Sequence, residues 1–275
     1  MTRLSFALGR LGVGPLLLIS VAVLAVVGIF WTPFDPNALD FSQRVMPPGL
    51  PHLTGTDHLG RDLFSRLLLG ASTSVAVSGT AVIGALLFGS LAGAVSGYFM
   101  GWTDRVTMLL MDAILAMPGI LLALGIMTVT GPSVAGLVGA MAITFTPVIF
   151  RVVRSTVLSL REKEFIEASR ALGNHDLFTI TQHILPNCVA PLTVVGTSLF
   201  GSAVLTESAL SFLGLGVPPH VPTWGAMLSD GRNNFSQAPW AVIYPGLAIS
   251  YLLLGVNLTG DALRDWLDPR GKGTV

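Results

Sequence analysis

Catalysis draws on acids, bases and thiolates whose neighbours tune them, and this chain offers few groups of that kind. Its only lysines are Lys163, which follows Glu162, and Lys272, which is followed by Gly273, so no G-x-x-x-x-G-K-[ST] phosphate loop is present. ATP has no P-loop to bind in this chain. A G-x-S-x-G elbow, an H-E-x-x-H helix and a Cys/His cluster are also missing, which removes local support for hydrolase and zinc chemistry. The single cysteine, Cys188, has no second thiolate in the chain with which to form a disulfide or a redox pair. His52, Asp57, His58 and Asp62 could gather a cation, but their spacing matches no ligand motif and solvated loop residues are the plainer reading. These signs point to a chain that is not an enzyme and holds no metal or cofactor of its own.

Three groupings remain. Asp112 is the one ionisable residue well inside a predicted span, about two turns from its end, where a charge costs less than the roughly 2.5–3.5 kcal/mol of the midplane. It could serve translocation; the plainer reading is a carboxylate hydrogen-bonded within the bundle or hydrated near the interface. A proton-coupled carrier would bury more than one such group, so energy is expected to enter from outside the bilayer part. Ala81, Ala85, Gly89, Gly93 and Gly97 follow one another at intervals of four, a small-residue stripe along one helix face that lets another backbone approach. Helix packing is the reading for Gly89, Gly93 and Gly97.

The third grouping is residues 151–186, which have helical periodicity without the hydrophobicity to span. Phe165, Ala168, Ser169 and Leu172 share one predicted face, with Glu164, Glu167 and Arg170 elsewhere on the surface. Gly173 supplies a stop, and Asn174 is expected to cap a second helix in which Leu177, Ile180, Thr181 and Ile184 share a face until Pro186 ends the run. Two short helices meeting at a bend could lie on the membrane surface or offer themselves to a groove on a cytoplasmic partner. Pattern alone leaves both open.

The elements that must position these groups follow from composition. The chain has 275 residues, 52% hydrophobic and only 11% charged, against roughly 25% charged in soluble domains. With 15 Lys+Arg and 15 Asp+Glu there is no net field to gather nucleic acid. Several stretches run about 20 residues with little charge, the length a helix needs to cross roughly 30 Å of hydrocarbon. The spans are predicted at residues 11–30, 74–98, 106–129, 134–150, 189–205 and 240–258, giving an all-α integral membrane protein with six transmembrane helices. The first is longer than a signal peptide's apolar core and is expected to be retained.

With the N-terminus cytoplasmic, Arg3, Arg10, Arg105, Arg151, Arg154, Arg161, Lys163, Arg170, Arg264, Arg270 and Lys272 fall inside, and Arg44, Arg61, Arg66 and Arg232 outside. That imbalance places both termini in the cytoplasm. Trp31, Trp102 and Trp240 fall at predicted span ends, where amphipathic rings prefer the headgroup layer. Residues 31–73 are rich in proline and read as an extended external connection; residues 207–239 read as an irregular or partly re-entrant loop.

At Glu167 the string EASRALG, with HILPN following, resembles the coupling loop of membrane subunits of binding-protein-dependent ABC importers, E-A-A-x-x-x-G with I-x-L-P beyond it. Glu167, Ala168, Gly173, Leu185 and Pro186 match in register. Ser169 replaces the second alanine, and His183 stands where isoleucine is usual. GTDHLGRDLFSRLLLGASTSV (residues 55–75), LSFLGLGVPPHVPTWGAML (residues 210–228) and NLTGDALRDWLDPR (residues 257–270) are similar to segments of the dipeptide and oligopeptide permeases, with Ser72 where those relatives often carry arginine. The resemblance runs from the first span to the C-terminal tail and is to the C-type permease subunit of a peptide importer.

The resemblance implies a type I ABC importer permease fold in the cell membrane. The chain would divide into a first helix with its extracytoplasmic segment (1–70), a permease core (71–261) with a coupling loop at about 155–186, and a cytoplasmic tail (262–275). It also implies a second, B-type permease subunit, two cytoplasmic ABC ATPase subunits that hydrolyse ATP, an extracytoplasmic peptide-binding protein and membrane lipid as partners. Glu167, Ala168, Ser169, Gly173, Leu185 and Pro186 would dock the ATPase. Dipeptides or oligopeptides are the expected cargo, with nickel or glutathione as alternatives within the family. A stand-alone secondary carrier and a membrane enzyme are the competing classes.

Overall fold

The computed structural model describes residues 12–267. The expectations placed on Leu11, Arg3, Arg10, Arg270 and Lys272, and on the end of the C-terminal tail, lie outside the described residues. Among the described residues the chain is helical, and its one β-type pairing is an isolated bridge between Thr56 and Asp62. The helices are α1 (Gly14–Phe30), α2 (Leu63–Phe99), α3 (Gly101–Leu115), α4 (Gly119–Thr130), α5 (Val134–Leu160), α6 (Glu164–Ala171), α7 (Asp176–Thr179), α8 (Leu185–Phe212), α9 (Trp224–Arg232) and α10 (Trp240–Leu267).

Four of these are long and apolar enough to cross a membrane: α2, α5, the run Asp176–Phe212 that ends in α8, and α10. The pair α3 and α4 counts as one broken span, and α1 is a shorter apolar helix of 17 residues. Each of the six predicted spans therefore meets an apolar helix or helix pair.

The third span is not the straight helix expected over residues 106–129. It bends by 88° between α3 and α4. Pro118 is the cause, because proline disfavours the helical region for the residue before it and has no N–H to continue the ladder. Met117 accordingly leaves the helix, and Pro118 becomes the N-cap residue of α4. The chain also reverses sharply between α2 and α3, where Met100 and Gly101 both take positive φ, 54° and 61°.

The small-residue stripe of α2 lies against α5. A Cβ added at Gly89 would sit 2.7 Å from Ile149 Cβ, one at Gly93 2.7 Å from the Phe150 carbonyl oxygen, and one at Gly97 2.9 Å from Val157 Cβ. No side chain larger than hydrogen fits at those heights, so the two backbones touch and dispersion contacts replace lipid contacts. Ala81 and Ala85 on the same face are fully buried. This seam continues into an apolar core of Val77, Met141, Phe145, Val153, Ile166 and Ile184 shared by α2, α5, α6 and the Asp176–Phe212 run. A second core gathers α1, α8, α9, α10 and the first turns of α2 around Leu63, Val204, Trp224, Met227 and Leu252.

Residues 31–62 are not simply extended. They fold back on themselves through main-chain bonds such as Val45 N to Asp57 O (3.0 Å) and Thr56 N to Met46 O (3.0 Å). Side chains lock the plate to the head of α2. Asp62 caps that helix by accepting from Ser65 N at 2.7 Å and pairs with His52 Nδ1 at 2.9 Å, while His52 Nε2 lies 2.6 Å from Gln43 Oε1. Arg61 bridges Asp57 (2.6 Å) and Asp230 of α9 (2.8 Å). At the plate's exposed edge, the Ser42 hydroxyl and amide donate to Asp40 and hold its carboxyl below the usual carboxylate range.

Candidate functional site

The elbow between α5 and α8 is built by local rules. Glu164 and Glu167 stand in the first turn of α6 and Arg170 in its last, each complementing the helix dipole by roughly 0.3–1 kcal/mol. The helix ends in a Schellman motif: Gly173 N donates to Arg170 O at 2.9 Å and Asn174 N to Ser169 O at 3.2 Å. Gly173 carries φ of 77°, the left-handed conformation that this closure requires. Asn174 does not cap α7 as expected. Its side chain turns back to donate to Ser169 Oγ at 3.2 Å, and His175 becomes the N-cap residue.

The chain then enters α7 and runs on without a break. Pro186 does not end the second helix; it is the second residue of α8, inside a run that continues from Asp176 to Phe212. A π-helical segment, Ile180–Ile184, takes up the register between α7 and α8.

The stripes expected on the two helices are split between the inside and the outside of the bundle. Ile166 and Ser169 of α6 are buried, together with Thr179, Ile180 and Ile184, and the hydroxyls of Ser169 and Thr179 lie 3.1 Å apart. Phe165, Leu172, Leu177 and Phe178 point away from the bundle, Leu172 at 82% and Leu177 at 72% exposure. The helix is apolar on two sides, and isoleucine took the core because Ile166 is one turn from Ser169 and opposes Ile180 and Ile184. Phe178 and Phe165 both set their rings edge-on to His183, at 5.7 and 6.3 Å.

Of the motif residues, Glu167 and Ala168 are exposed on α6 and Ser169 is buried beneath them. Leu185 and Pro186 lie along the first turn of α8, Leu185 half-buried against the core and Pro186 exposed. The motif therefore marks a folded elbow rather than one cluster of touching side chains.

Sequence reasoning missed the clamp that holds the elbow to α2. Tyr98 donates its hydroxyl to Asp176 Oδ1 at 2.7 Å, and the Arg170 guanidinium lies 4.8 Å from the centre of the Tyr98 ring. The available signal was a buried-end tyrosine, one of only three in the chain, at the end of a span. Nearby, Asp104 of α3 accepts two bonds from Arg154 of α5, at 2.5 and 2.6 Å, and one from Ser96 of α2. Asp112 is exposed and paired with Arg151 at 2.7 Å.

A second miss is Glu207, assigned to an outer loop but fully buried in α8. The apolar run through Ala209, Leu210 and Phe212 was the signal that the helix had not ended. In the outer group of His52, Asp57, His58 and Asp62, His52 pairs with Asp62 while Asp57 pairs with Arg61, and no cluster of three metal-ligating side chains occurs among the described residues.

Apolar helices of spanning length, a broken third span and an exposed elbow define a multi-pass protein of the cytoplasmic membrane. The chain belongs to the family of binding-protein-dependent transport system inner membrane components, whose model matches residues 85–273. It is 43% identical over 260 residues to the dipeptide transport system permease protein DppC of Alkalihalophilus pseudofirmus, covering 94% of this chain and 86% of that one. It is 39% identical over 266 residues to the glutathione transport system permease protein GsiD of Pectobacterium atrosepticum, covering 95% and 86%. The fold is similar to that of a chain in inward-facing MetNI, a methionine ABC transporter, with TM-score 0.60 at 15% identity, covering 74% of this chain and 96% of that one. The family is one of transport permeases, and the fold is that of an ABC importer permease.

Proposed function

We propose that this chain forms half of the translocation path of an ATP-driven importer for dipeptides or short oligopeptides. A second permease subunit supplies the other half, two cytoplasmic ATPases supply the energy, and an extracytoplasmic binding protein delivers the cargo. In this reading the six apolar helices or helix pairs are six spans, both termini are cytoplasmic, and residues 71–261 form the permease core.

The observation that carries the reading is the elbow. Phe165, Leu172, Leu177 and Phe178 are exposed on a rigid, Gly173-closed bend that continues into a membrane-crossing helix. Burying such side chains is worth roughly 1.5–3 kcal/mol each, which favours a protein groove over water. Glu167, Ala168, Ser169 and Gly173 then form the docking elbow, with Leu185 and Pro186 at the base of the shaft. A motor closing on the elbow would favour one of two packings of the spans.

The dipeptide and glutathione relatives both support a peptide-like cargo, and the glutathione permease keeps that compound as a second reading. Reconstitution with the cognate binding protein, followed by identification of the ligand that protein carries, tests the assignment. A short peptide is the expected ligand; a bare metal ion or a sugar in its place would overturn it.

A further inference from the structure

Glu207 has no part in the elbow, yet its carboxyl is completely buried in the far half of α8. No Arg, Lys or His among the described residues forms an ion pair with it. It is surrounded by hydroxyls instead. Ser211 Oγ donates to Oε1 at 2.8 Å and Ser208 Oγ to Oε2 at 3.4 Å, and the hydroxyls of Ser74 and Thr223 stand close beside it. These belong to three elements: Ser74 to α2, Ser208 and Ser211 to α8, and Thr223 to the N-cap of α9.

The same hydroxyls hold the head of α9. Ser74 Oγ accepts from Trp224 N at 3.2 Å and Thr223 Oγ1 from Ala226 N at 3.2 Å. Packing is tight enough that a Cβ on Gly225 would lie 2.5 Å from Ser208 Cα. At the opposite end the same two rods, α2 and the Asp176–Phe212 run, are joined by Tyr98 and Asp176. Two antiparallel rods are thus pinned together at both ends, and the far pin also grips α9.

We propose that Glu207 is a positioning residue, the buried centre of the junction of α2, α8 and α9 through which movement of the elbow reaches the extracytoplasmic helix α9. The inference rests on the permease reading above. Deleting the carboxylate leaves the buried hydroxyls of Ser208 and Ser211 without their acceptor and opens a gap at the junction.

The test uses the complete complex in proteoliposomes, with Glu207→Ala and Glu207→Gln. Two ratios are read: ATP hydrolysis with loaded binding protein over basal hydrolysis, and dipeptide Ala-Ala moved per ATP. Glu207→Ala is expected to retain its ATPases and its basal hydrolysis, while each ratio falls about tenfold, the effect of losing one buried network centre. Glu207→Gln, whose amide both accepts and donates, is expected to stay within about twofold of wild type. Unchanged ratios in Glu207→Ala, a proportional fall of hydrolysis and transport, or a Gln variant as impaired as Ala would each overturn the proposal. Should the wild-type complex move no dipeptide, the cargo reading fails and the stimulation ratio still decides the role of Glu207.

Discussion

Tyr98, in the last turn of α2, donates its hydroxyl to Asp176 Oδ1 at the first residue of α7, 2.7 Å away. The two residues are 78 positions apart in sequence. Their bond, with Arg170 stacked on the ring, keeps the elbow from swinging independently of the spans.

Tyr98→Phe keeps the ring under Arg170 but removes the hydroxyl, and with it the bond to Asp176 and a longer one accepted from Arg170 Nε at 3.4 Å. Each such bond is worth about 1 kcal/mol, so the variant should insert and fold. Transport per ATP should drop severalfold, measured in proteoliposomes containing the full complex. A wild-type ratio would separate the clamp from coupling.

Glu167→Lys and Gly173→Pro should leave the subunit in the membrane while detaching or uncoupling the ATPase. The first reverses a charge favoured at a helix N-terminus; the second forces φ near −65° where 77° is needed. Co-purification and substrate-stimulated hydrolysis are the measurements, and unchanged values in both variants would remove docking from this elbow.

Leu172→Glu and Leu177→Glu change only exposed side chains of the elbow. They should leave the detergent-solubilised subunit as heat-stable as wild type and reduce ATPase co-purification by more than about tenfold, since each deletes an apolar anchor and buries a charge.

Gly93→Leu places a side chain where a Cβ alone would meet the Phe150 carbonyl oxygen at 2.7 Å. Separation of α2 from α5 should cost about 3 kcal/mol, read as a lowered melting temperature in detergent. Gly125→Leu, at a site with open space beyond its Cβ, is the control and should melt near wild type.

Asp104→Ala strands the guanidinium of Arg154 at the junction of α2, α3 and α5. Losing a bidentate pair that is only about one-fifth exposed should destabilise by about 2 kcal/mol. A double-mutant cycle with Arg154→Ala should recover much of that loss, because the second deletion removes the stranded charge.

The placement of the apolar helices was legible because 20-residue runs without charge have few other uses. The bend in the third span was equally present, in Met117 and Pro118, but hydropathy averaged over a span does not register a single missing N–H. Glu207 was misplaced for a related reason: an acidic residue was allowed to end a span, whereas Ser208 and Ser211 donate to it and the hydroxyls of Ser74 and Thr223 stand close by, which makes its burial tolerable. Three of those four hydroxyls lie within 16 residues of Glu207, yet Ser74 is brought to it only by tertiary structure. The elbow's location followed from Gly173 and from the family resemblance. Its orientation did not, since Phe165 and Ile166 are adjacent and periodicity cannot say which of two apolar sides will face the core.

Both α2 and the Asp176–Phe212 run contain 37 residues, about 55 Å of helix at 1.5 Å per residue, against roughly 30 Å of hydrocarbon. Some of each rod must therefore project beyond the oil, even when tilted. The junction at Tyr98 and the Asp62 cap stand at opposite ends of the same rod. On the permease reading proposed above, soluble proteins on either side would each grip a handle of the same stiff member, and no polar group would have to be dragged through lipid for one side to answer the other.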